Sequence, residues 1–559
     1  MGATSVTGSG PGIGEGPAHL DYNLDNIRKV YILDNGNFLP CIEIIGNKYV
    51  LRNSSTLVSS GPIIISGSSV QCDSDGNPRG FKAYDFQCCR FQDSQVASGN
   101  YSFIAGGCAN TASGLRSHAE GYLTIANGES SHAEGRFSHA TGTNSHAEGR
   151  QTTASGNYSH AEGYVTIASG SEGSHAEGNY SNAIANAAHA EGSFTSASGF
   201  AAHSEGSATT ASGVASHTEG QSTTASGVNS HAEGKTTTAS GDYSHAEGYT
   251  SVASGYVSHA EGYYTYATNR FAHAEGNSTL ASGYNSHAEG NSTISSGYAS
   301  HAEGEITTAS GNYSHAEGVD TIASGYQSHA EGKFTLASDR SSHAEGWRAE
   351  ASSYASHAEG SDTLASGIGS HAEGGTTIAS GRYSHAEGTR TTASGEYSHA
   401  GGNGARAIQD GQFARGSGTF DSFGVVQYSD HTLSTKTLNA VQKNLTINGQ
   451  VSGAANQVQV SLNSAFTFLI TVVGRSSTGD VACFKRYCLA RNNSGTTTLQ
   501  GAVETIGIDK GSNVGIPPIG WAVAITADDS LDVLEVKVTG VAATNIRWGA
   551  KVETVEVIF

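Results

Sequence analysis

The sequence predicts an all-β protein whose middle part is a parallel β-solenoid of fourteen-residue turns. Three observations favour this class. The segment Ser-His-Ala-Glu-Gly recurs with a fixed period, the chain contains 74 glycines, and it has only 7 prolines. A fixed period of this kind indicates stacked structural units. Frequent glycine without a Gly-X-Y period and with so little proline excludes a collagen helix and a Pro/Gly linker.

Histidine marks the repeat most clearly. His118, His132 and His146 are fourteen residues apart, and the register continues to His399 with a single fifteen-residue step near Gly173. Of the 24 histidines, 21 lie in this register. With weaker turns on both sides, we count about 23 turns between residues 94 and 418. Because neighbouring strands lie about 4.8 Å apart, these turns predict a rod on the order of 110 Å long.

Each turn contains two similar halves, as in Thr152–Gly156 and Ser159–Gly163. Side chains of a strand alternate between two faces, so Ser or Thr, Ala and Gly share one face and His and Glu share the other. Glycine ends each half because the chain turns where a Cβ atom would obstruct it. We therefore expect two short strands and two tight turns per repeat, with each strand pairing in parallel with its equivalent in the next turn.

The core of such a coil is thin, which predicts an oligomer. Ordering fourteen residues costs roughly 14–28 kcal/mol of conformational entropy. Burial of two alanines and two threonine methyls recovers only a few kcal/mol at about 25 cal/mol per Å². Packing several coils side by side would bury a second face of each coil.

The His and Glu positions are the candidate subunit interface. They are nearly constant along the chain, whereas the equivalent position of the other half varies, as at Ile125, Tyr266 and Glu350. A solvated polar stripe is the alternative. A third interpretation is that three histidines, one from each of three chains, bind a metal. The large number of equivalent sites is more than a specific metal function needs, so we expect no metal and no other cofactor. The predicted interface ladder comprises His118, Glu120, His132, Glu134, His146, Glu148, His160, Glu162, His175, Glu177, His189, Glu191, His231, Glu233, His287, Glu289, His385 and Glu387.

The paired Ser-x-Ala-x-Gly heptads resemble the head repeats of YadA-type trimeric adhesins, whose consensus is Asn-Ser-Val-Ala-Ile-Gly. The resemblance covers about 325 residues, and His and Glu stand where the consensus has Val and Ile. It implies a left-handed parallel β-roll, a homotrimer and a surface fibre. The chain shows neither a signal sequence nor a long coiled-coil stalk, so we expect no membrane insertion.

The two ends predict separate modules. Residues 1–27 are rich in glycine, and we expect a flexible attachment segment. Residues 28–93 predict a small β module, because Asn-Gly flanked by apolar runs is a strong hairpin signal. Residues 419–559 lose the period and predict an antiparallel β-sandwich. This last segment is similar to C-terminal domains of tail-fibre proteins from phages and large DNA viruses, which implies a tip for trimerisation or receptor binding.

Only a few residues of the C-terminal segment are candidates for ligand binding or catalysis. Trp521 and Tyr487 are candidate receptor contacts, because aromatic rings stack on sugars, although aromatic residues in such strands more often belong to the core. The run Ser429-Asp430-His431 is a weak signal for self-cleavage. The alternative is that these residues form a polar linker without a chemical role. We expect no catalytic residues. The seven cysteines match no zinc spacing, and we expect buried free thiols, with a disulfide framework as the alternative.

Composition limits the classes of function that the chain can have. The formal net charge of −21, without any basic run, excludes a nucleic-acid partner. We therefore predict a trimeric structural and adhesive fibre on a virion surface, attached through its N-terminal region and binding a host-surface receptor, for which a glycan is one candidate. A bacterial cell-surface adhesin with an extracellular location is the first alternative. A polysaccharide-degrading tailspike is the second, but the many equivalent glutamates supply no unique carboxylate pair.

Overall fold

A computed structural model describes residues 29–34, 37–45, 48–51, 70–71, 76–87, 89–418, 426–512 and 515–558. The fold divides into two compact units, Met1–Phe271 and Ala272–Phe559. In the described residues the only helices are two short 3₁₀ segments, Ile447–Gly449 and Ala454–Asn456, so the prediction of an all-β chain is confirmed. None of the described helices has the length and apolar character that a membrane crossing requires. The glycine-rich segment 1–27 lies outside the described residues.

The first unit begins with an antiparallel meander, as the hairpin signals predict. Lys29–Asp34 pairs with Asn37–Ile45, which pairs with Lys48–Leu51. Parallel pairing then begins earlier than the expected boundary at residue 94. Its first strands, each of which pairs in parallel with the next, are Val70–Gln71, Tyr84–Asp85 and Phe103–Ile104.

A parallel β-solenoid follows, and every turn supplies two strands to it. Strands that begin at the repeat histidine form one ladder, and we call them the histidine strands. In the first unit they are His118–Ala119, His132–Ala133, His146–Arg150, His160–Tyr164, His175–Asn179, His189–Ser193, His203–Ser207, His217–Thr218, His231–Ala232, His245–Tyr249 and His259–Tyr263. In the second unit they are His273–Asn277, His287–Asn291, His301–Glu305, His315–Val319, His329–Lys333, His343–Trp347, His357–Ser361, His371–Gly375, His385–Ala386 and His399–Asn403.

The other half of each turn forms a second parallel ladder, whose members we call the companion strands. In the first unit they are Thr111–Ala112, Ile125–Ala126, His139–Ala140, Thr153–Ala154, Ile167–Ala168, Asn182–Ala183, Ser196–Ala197, Thr210–Ala211, Thr224–Ala225, Thr238–Ala239, Val252–Ala253 and Tyr266–Ala267. In the second unit they are Leu280–Ala281, Ile294–Ser295, Thr308–Ala309, Ile322–Ala323, Leu336–Ala337, Glu350–Ala351, Leu364–Ala365, Ile378–Ala379, Thr392–Ala393 and Arg406–Ala407. The predicted pairing of each strand with its equivalent one turn away is confirmed.

Small side chains fill the inside of the coil. Ala154 and Ala161, one from each half of a turn, are fully buried, and their equivalents stack along the solenoid. Inward serines satisfy their hydroxyls locally, since Ser159 Oγ donates to the carbonyl oxygen of Gly156 at 2.6 Å. Inward threonines differ, because within the described residues the buried Oγ1 atoms of Thr152 and most of its equivalents have no hydrogen-bond partner, with Thr124 and Thr209 as exceptions. The interior therefore contains a column of polar atoms that contributes no hydrogen bonds.

Close stacking of the turns explains the conserved glycine in each half of the repeat. A Cβ atom at Gly156 would lie 1.8 Å from the carbonyl oxygen of Gly170 in the next turn. The other glycine, Gly163, would meet Gly178 at 2.2 Å and also has a φ of +104°. A side chain at the first position requires the neighbouring turn to shift, and five turns accommodate one there, namely Ala185, Asn269, Asp339, Ser353 and Gln409. The second position is glycine in every turn from Gly121 to Gly402, because both the contact and the positive φ restrict it.

The second unit ends in two antiparallel sheets that share one buried apolar cluster. Phe413–Gly418 connects the two parts, because it pairs in parallel with His399–Asn403 and antiparallel with the next strand. The first sheet then contains, in spatial order, Val426–Thr437, Ile546–Ile558, Ser464–Ser476 and Val481–Asn493, with the short strands Thr496–Leu499, Glu504–Thr505 and Lys510–Gly511 on its last member. The second sheet contains Lys443–Leu445, Val458–Gln459, Val533–Thr539 and Ala522–Asp528.

Among the described residues, one pair of cysteines departs from the expected free thiols. Cys89 and Cys108 form a disulfide, and they lie side by side because their backbones form a parallel bridge. The reason is the stacking of successive coil turns, which brings together residues 19 positions apart in the sequence. Cys483 and Cys488 are free, as expected.

Candidate functional site

Strand alternation sets the histidines and glutamates on the outer surface of the coil. In the turn of His160, Ser159 and Ala161 point inward and are buried, whereas His160 and Glu162 point outward. The side chains of His160 and Glu162 are each 34% exposed in the single chain. All eighteen residues of the predicted interface ladder lie on this outward face, and within each unit the structure places them in two adjacent columns.

The histidine column is a stack of parallel rings. Since His287 pairs with His301 in register, their ring centroids lie 4.7 Å apart with an angle of 5° between the planes. The same geometry recurs in each unit, for example at 4.8 Å and 1° between His146 and His160. Aromatic rings end the stacks. Phe103 lies 4.8 Å from His118, and Phe413 lies 4.7 Å from His399.

The glutamate column faces the outer nitrogen of each imidazole. Oε2 of Glu289 lies 3.8 Å from Nε2 of His287 in its own turn. Oε1 of the same carboxylate lies 3.9 Å from Nε2 of His301 in the next turn. Glu289 therefore lies between two imidazoles, at distances longer than a hydrogen bond, and Glu317, Glu331 and Glu345 are placed in the same way.

Burial and mutual proximity shift the pKa values of both columns. Loss of hydration is the main cause of the lowered pKa of histidines such as His287 and His343, so these imidazoles are neutral at pH 7. From Glu317 to Glu373 the direction of the pKa shift alternates between neighbouring glutamates. A hydrogen bond shared with Glu345 raises the pKa of Glu331 to about 8, and the same hydrogen bond lowers the pKa of Glu345. Neighbouring glutamates therefore share protons, which relieves the repulsion of stacked carboxylates.

Tyrosines at the turns form short runs of contacting rings on the exposed edge of the coil. Tyr284 and Tyr298 stack with centroids 5.2 Å apart, and Tyr298 meets Tyr313 edge-on at 5.3 Å. Tyr158 is 63% exposed. These rings form an accessible aromatic surface, and such surfaces can stack on sugars.

The two predicted receptor contacts have different environments. Trp521 is buried in the apolar cluster, with its ring centroid 5.0 Å from that of Trp548, so its interpretation as a receptor contact is wrong. The physical reason is that it precedes Ala522–Asp528 and points into the space between the sheets. Tyr487 lies on the outward face of Val481–Asn493 and is exposed.

Ser429, Asp430 and His431 do not form a catalytic constellation. They are consecutive in one strand, so Ser429 and His431 point into the interior while Asp430 points outward. Asp430 accepts a hydrogen bond from the Tyr428 hydroxyl at 2.7 Å and lies 3.3 Å from the Lys551 Nζ atom. A carboxylate on the opposite face cannot orient the histidine.

A groove on the outward face of the first sheet was not predicted from the sequence. It has a volume of about 600 Å³ and lies above Gly549, where the sheet carries no side chain. Arg475 and Arg547, which are paired across neighbouring strands, line it together with Val473. Strand alternation in Ile546–Ile558 could have indicated the shared face, but the pairing of the two arginines follows only from the sheet register.

Comparison with known proteins identifies the repeat. The family model of the YadA head domain repeat matches residues 119–145, 219–244, 274–300 and 316–338, all of which lie in the solenoid. No curated protein matches the chain. The matched segments and the paired parallel ladders agree with each other, so the solenoid of this chain is built from repeats of the YadA head type.

Proposed function

We propose that the chain is the subunit of a homotrimeric, adhesive surface fibre without enzymatic activity. The observation that carries this proposal is the match of the solenoid to the YadA head repeat, a repeat of surface-exposed adhesins. The thin interior supports the trimer, because a coil that buries only Ala, Ser and Thr gains little apolar free energy per turn.

The column of histidines and glutamates is the proposed subunit interface. In the single chain the companion side chains are about as exposed as this column, as at Ile294 and Tyr266. Exposure alone therefore favours neither face. Uniformity favours the histidine face, because a fixed partner surface constrains every turn in the same way, whereas solvent tolerates Thr, Leu, Tyr and Glu alike.

The proposed fibre attaches through its N-terminal region and presents the C-terminal sheets as a β-sandwich tip. Phage and large-DNA-virus tail fibres, which the C-terminal segment resembles, support a place on the virion surface. A bacterial cell-surface adhesin is the second candidate, and the family of the repeat favours it equally. The proposed ligand of either fibre is a host-surface glycan, for which Tyr487 and the groove above Gly549 are exposed contacts.

Light scattering of the purified chain tests the oligomer. A trimer of the 57.2 kDa chain has a mass of about 172 kDa. A mass of 57.2 kDa would refute the trimer, and with it the proposed interface.

Spin labels test which face is buried. Glu303→Cys puts a nitroxide on the histidine face, and Thr308→Cys puts one on the companion face of the same turn. We expect shorter distances between subunits and a less mobile label at position 303. The opposite order would move the interface to the companion face. Wild-type chain carried through the same labelling measures the background from Cys483 and the other native cysteines.

A further inference from the structure

The outer imidazole nitrogens lack the partners that buried nitrogen atoms normally have. Nε2 of His287, His315 and His343 is buried and makes no hydrogen bond in the described part of the chain. A buried polar atom without a protein partner requires an explanation, and binding of an ion is one of the standard explanations. Because the pattern repeats along the histidine strands, the explanation must apply to the column and not to a single turn.

Two carboxylate oxygens flank each of these nitrogens. His343 Nε2 lies 3.9 Å from Glu331 Oε1 and 3.9 Å from Glu345 Oε2. For His315 the distances are 3.5 Å to Glu303 Oε1 and 4.0 Å to Glu317 Oε2. Zinc binds nitrogen and oxygen at about 2.0–2.2 Å in tetrahedral geometry, so two ligand atoms on one ion lie about 3.4 Å apart. The nitrogen–oxygen distances of 3.5 to 4.0 Å are at most about 0.6 Å longer, which a small rotation of the glutamate side chains closes.

The clusters extend across successive turns. His146, Glu148 and His160 place one ligand atom each within 4.8 Å of one another, as do His189, Glu191 and His203. Imidazole nitrogen with carboxylate oxygen is a donor set that suits zinc, whereas calcium and magnesium prefer oxygen alone.

We propose that the histidine and glutamate columns form a linear array of binding sites for zinc-class divalent cations. Each ion is held by imidazole Nε2 and carboxylate oxygens of adjacent turns. The number of equivalent positions, which argues against a single specific metal site, fits an array.

The charge of the glutamates determines how many ions the array can hold. Of the 21 repeat histidines, 20 are followed two residues later by glutamate. Zinc displaces the protons that neighbouring glutamates share, so one dication for every two carboxylates leaves the column neutral. Alternate occupation separates ions that would otherwise lie one strand spacing apart and repel. We therefore expect on the order of ten ions per chain. The inference needs only one chain, so its failure would leave the proposed fibre unaffected.

Zinc titration of the tag-free full chain tests the array. Chain stripped with a chelator is equilibrated with Zn²⁺, Ca²⁺ or Mg²⁺ and its metal content is measured after dialysis. We expect on the order of ten zinc ions per chain, with neither calcium nor magnesium retained. Zinc below one ion per chain, or equal retention of calcium, would overturn the proposal.

Substitution in the column locates the sites. The quadruple variant H315Q/H329Q/H343Q/H357Q removes the imidazoles of four consecutive turns, and we expect it to lose about two ions per chain. His139→Gln is the matched control, since His139 lies in a companion strand outside the column. Circular dichroism verifies that both variants keep the wild-type fold, and X-ray absorption of the wild-type chain should show imidazole ligands on zinc. Zinc content unchanged in the folded quadruple variant would refute the array.

Discussion

Burial of Glu556 makes the stability of the C-terminal sheets depend on pH. The residue lies in Ile546–Ile558, opposite Gln427 and Phe466 of the neighbouring strands, and it is 3% exposed. One of its carboxylate oxygens, Oε1, has no hydrogen-bond partner. Loss of hydration is the main cause that raises its pKa to about 7.

The sign and size of the effect follow from this shift. A Glu556 side chain in the unfolded state ionises near its ordinary pKa of 4.5, whereas the folded state keeps the proton up to about pH 7. The stabilising contribution is therefore complete below pH 4.5, decreases between pH 4.5 and 7, and is absent above that. A shift of about 2.5 units corresponds to about 3 kcal/mol of unfolding free energy.

Glu556→Gln isolates this contribution, because glutamine has the same shape and does not ionise. Urea unfolding followed by tryptophan fluorescence reports on these sheets, since Trp521 and Trp548 lie in their core. The Trp347→Phe background removes the solenoid signal. The unfolding free energy of the variant, relative to that of wild type, should rise by about 3 kcal/mol between pH 4.5 and pH 8.

The difference between variant and wild type cancels the titration of all other groups. Glu553→Gln, on the outward face of the same strand, is the control and should not reproduce this gain. Parallel stability curves for Glu556→Gln and wild type between pH 4.5 and 8 would refute the reasoning.

Further predictions concern residues inside the C-terminal sheets and inside the solenoid. His431 is buried, and loss of hydration lowers its pKa to about 4, so the unfolding free energy of wild type relative to His431→Asn should fall by about 3 kcal/mol as the pH drops from 6.5 to 4 in the same urea assay, a difference that cancels the opposite trend of Glu556. Gly163→Ala places a methyl group against the backbone of the next turn at a φ of +104° and should prevent cooperative folding, whereas Gly375→Ala, whose Cβ meets nothing within 4 Å, should melt within a degree or two of wild type. Thr307→Val removes an unpartnered buried hydroxyl and should raise solenoid stability by about 1 kcal/mol, whereas Ser314→Ala loses a hydrogen bond of 2.7 Å and should lower it by about 1 kcal/mol. Equal effects of the last two substitutions in calorimetry would contradict the assignment of their hydroxyl partners.

Features with a local cause could be predicted from the sequence. Alternation along Ser159–Gly163 separates inward from outward side chains, and the fixed period aligns equivalent strands. The Asn35-Gly36 pair sits between two paired strands, as a hairpin signal should. In each case the determining residues are neighbours in the chain, so their pattern contains the information needed.

Features that depend on distant residues could not be predicted in this way. Trp521 is buried because the first sheet, through Trp548, covers it, and no residue near Trp521 in the sequence indicates that sheet. Cys89 meets Cys108 because of the turn geometry at the start of the coil. The groove above Gly549 depends on the pairing of three long strands. Each of these facts requires the register of elements far apart in the chain.

The fifteen-residue turn shows which part of the repeat determines the register. Its extra residue lies in the turn near Gly173, where φ is +83° and a Cβ would meet nothing within 4 Å. The strands on both sides keep their pairing, and the rings of His160 and His175 still stack with centroids 4.7 Å apart and planes 4° apart. Strand pairing and the inward Ala column therefore fix the register, and the turns absorb variation in length. The same property explains how the companion positions vary freely while the histidine column stays continuous through this longer turn.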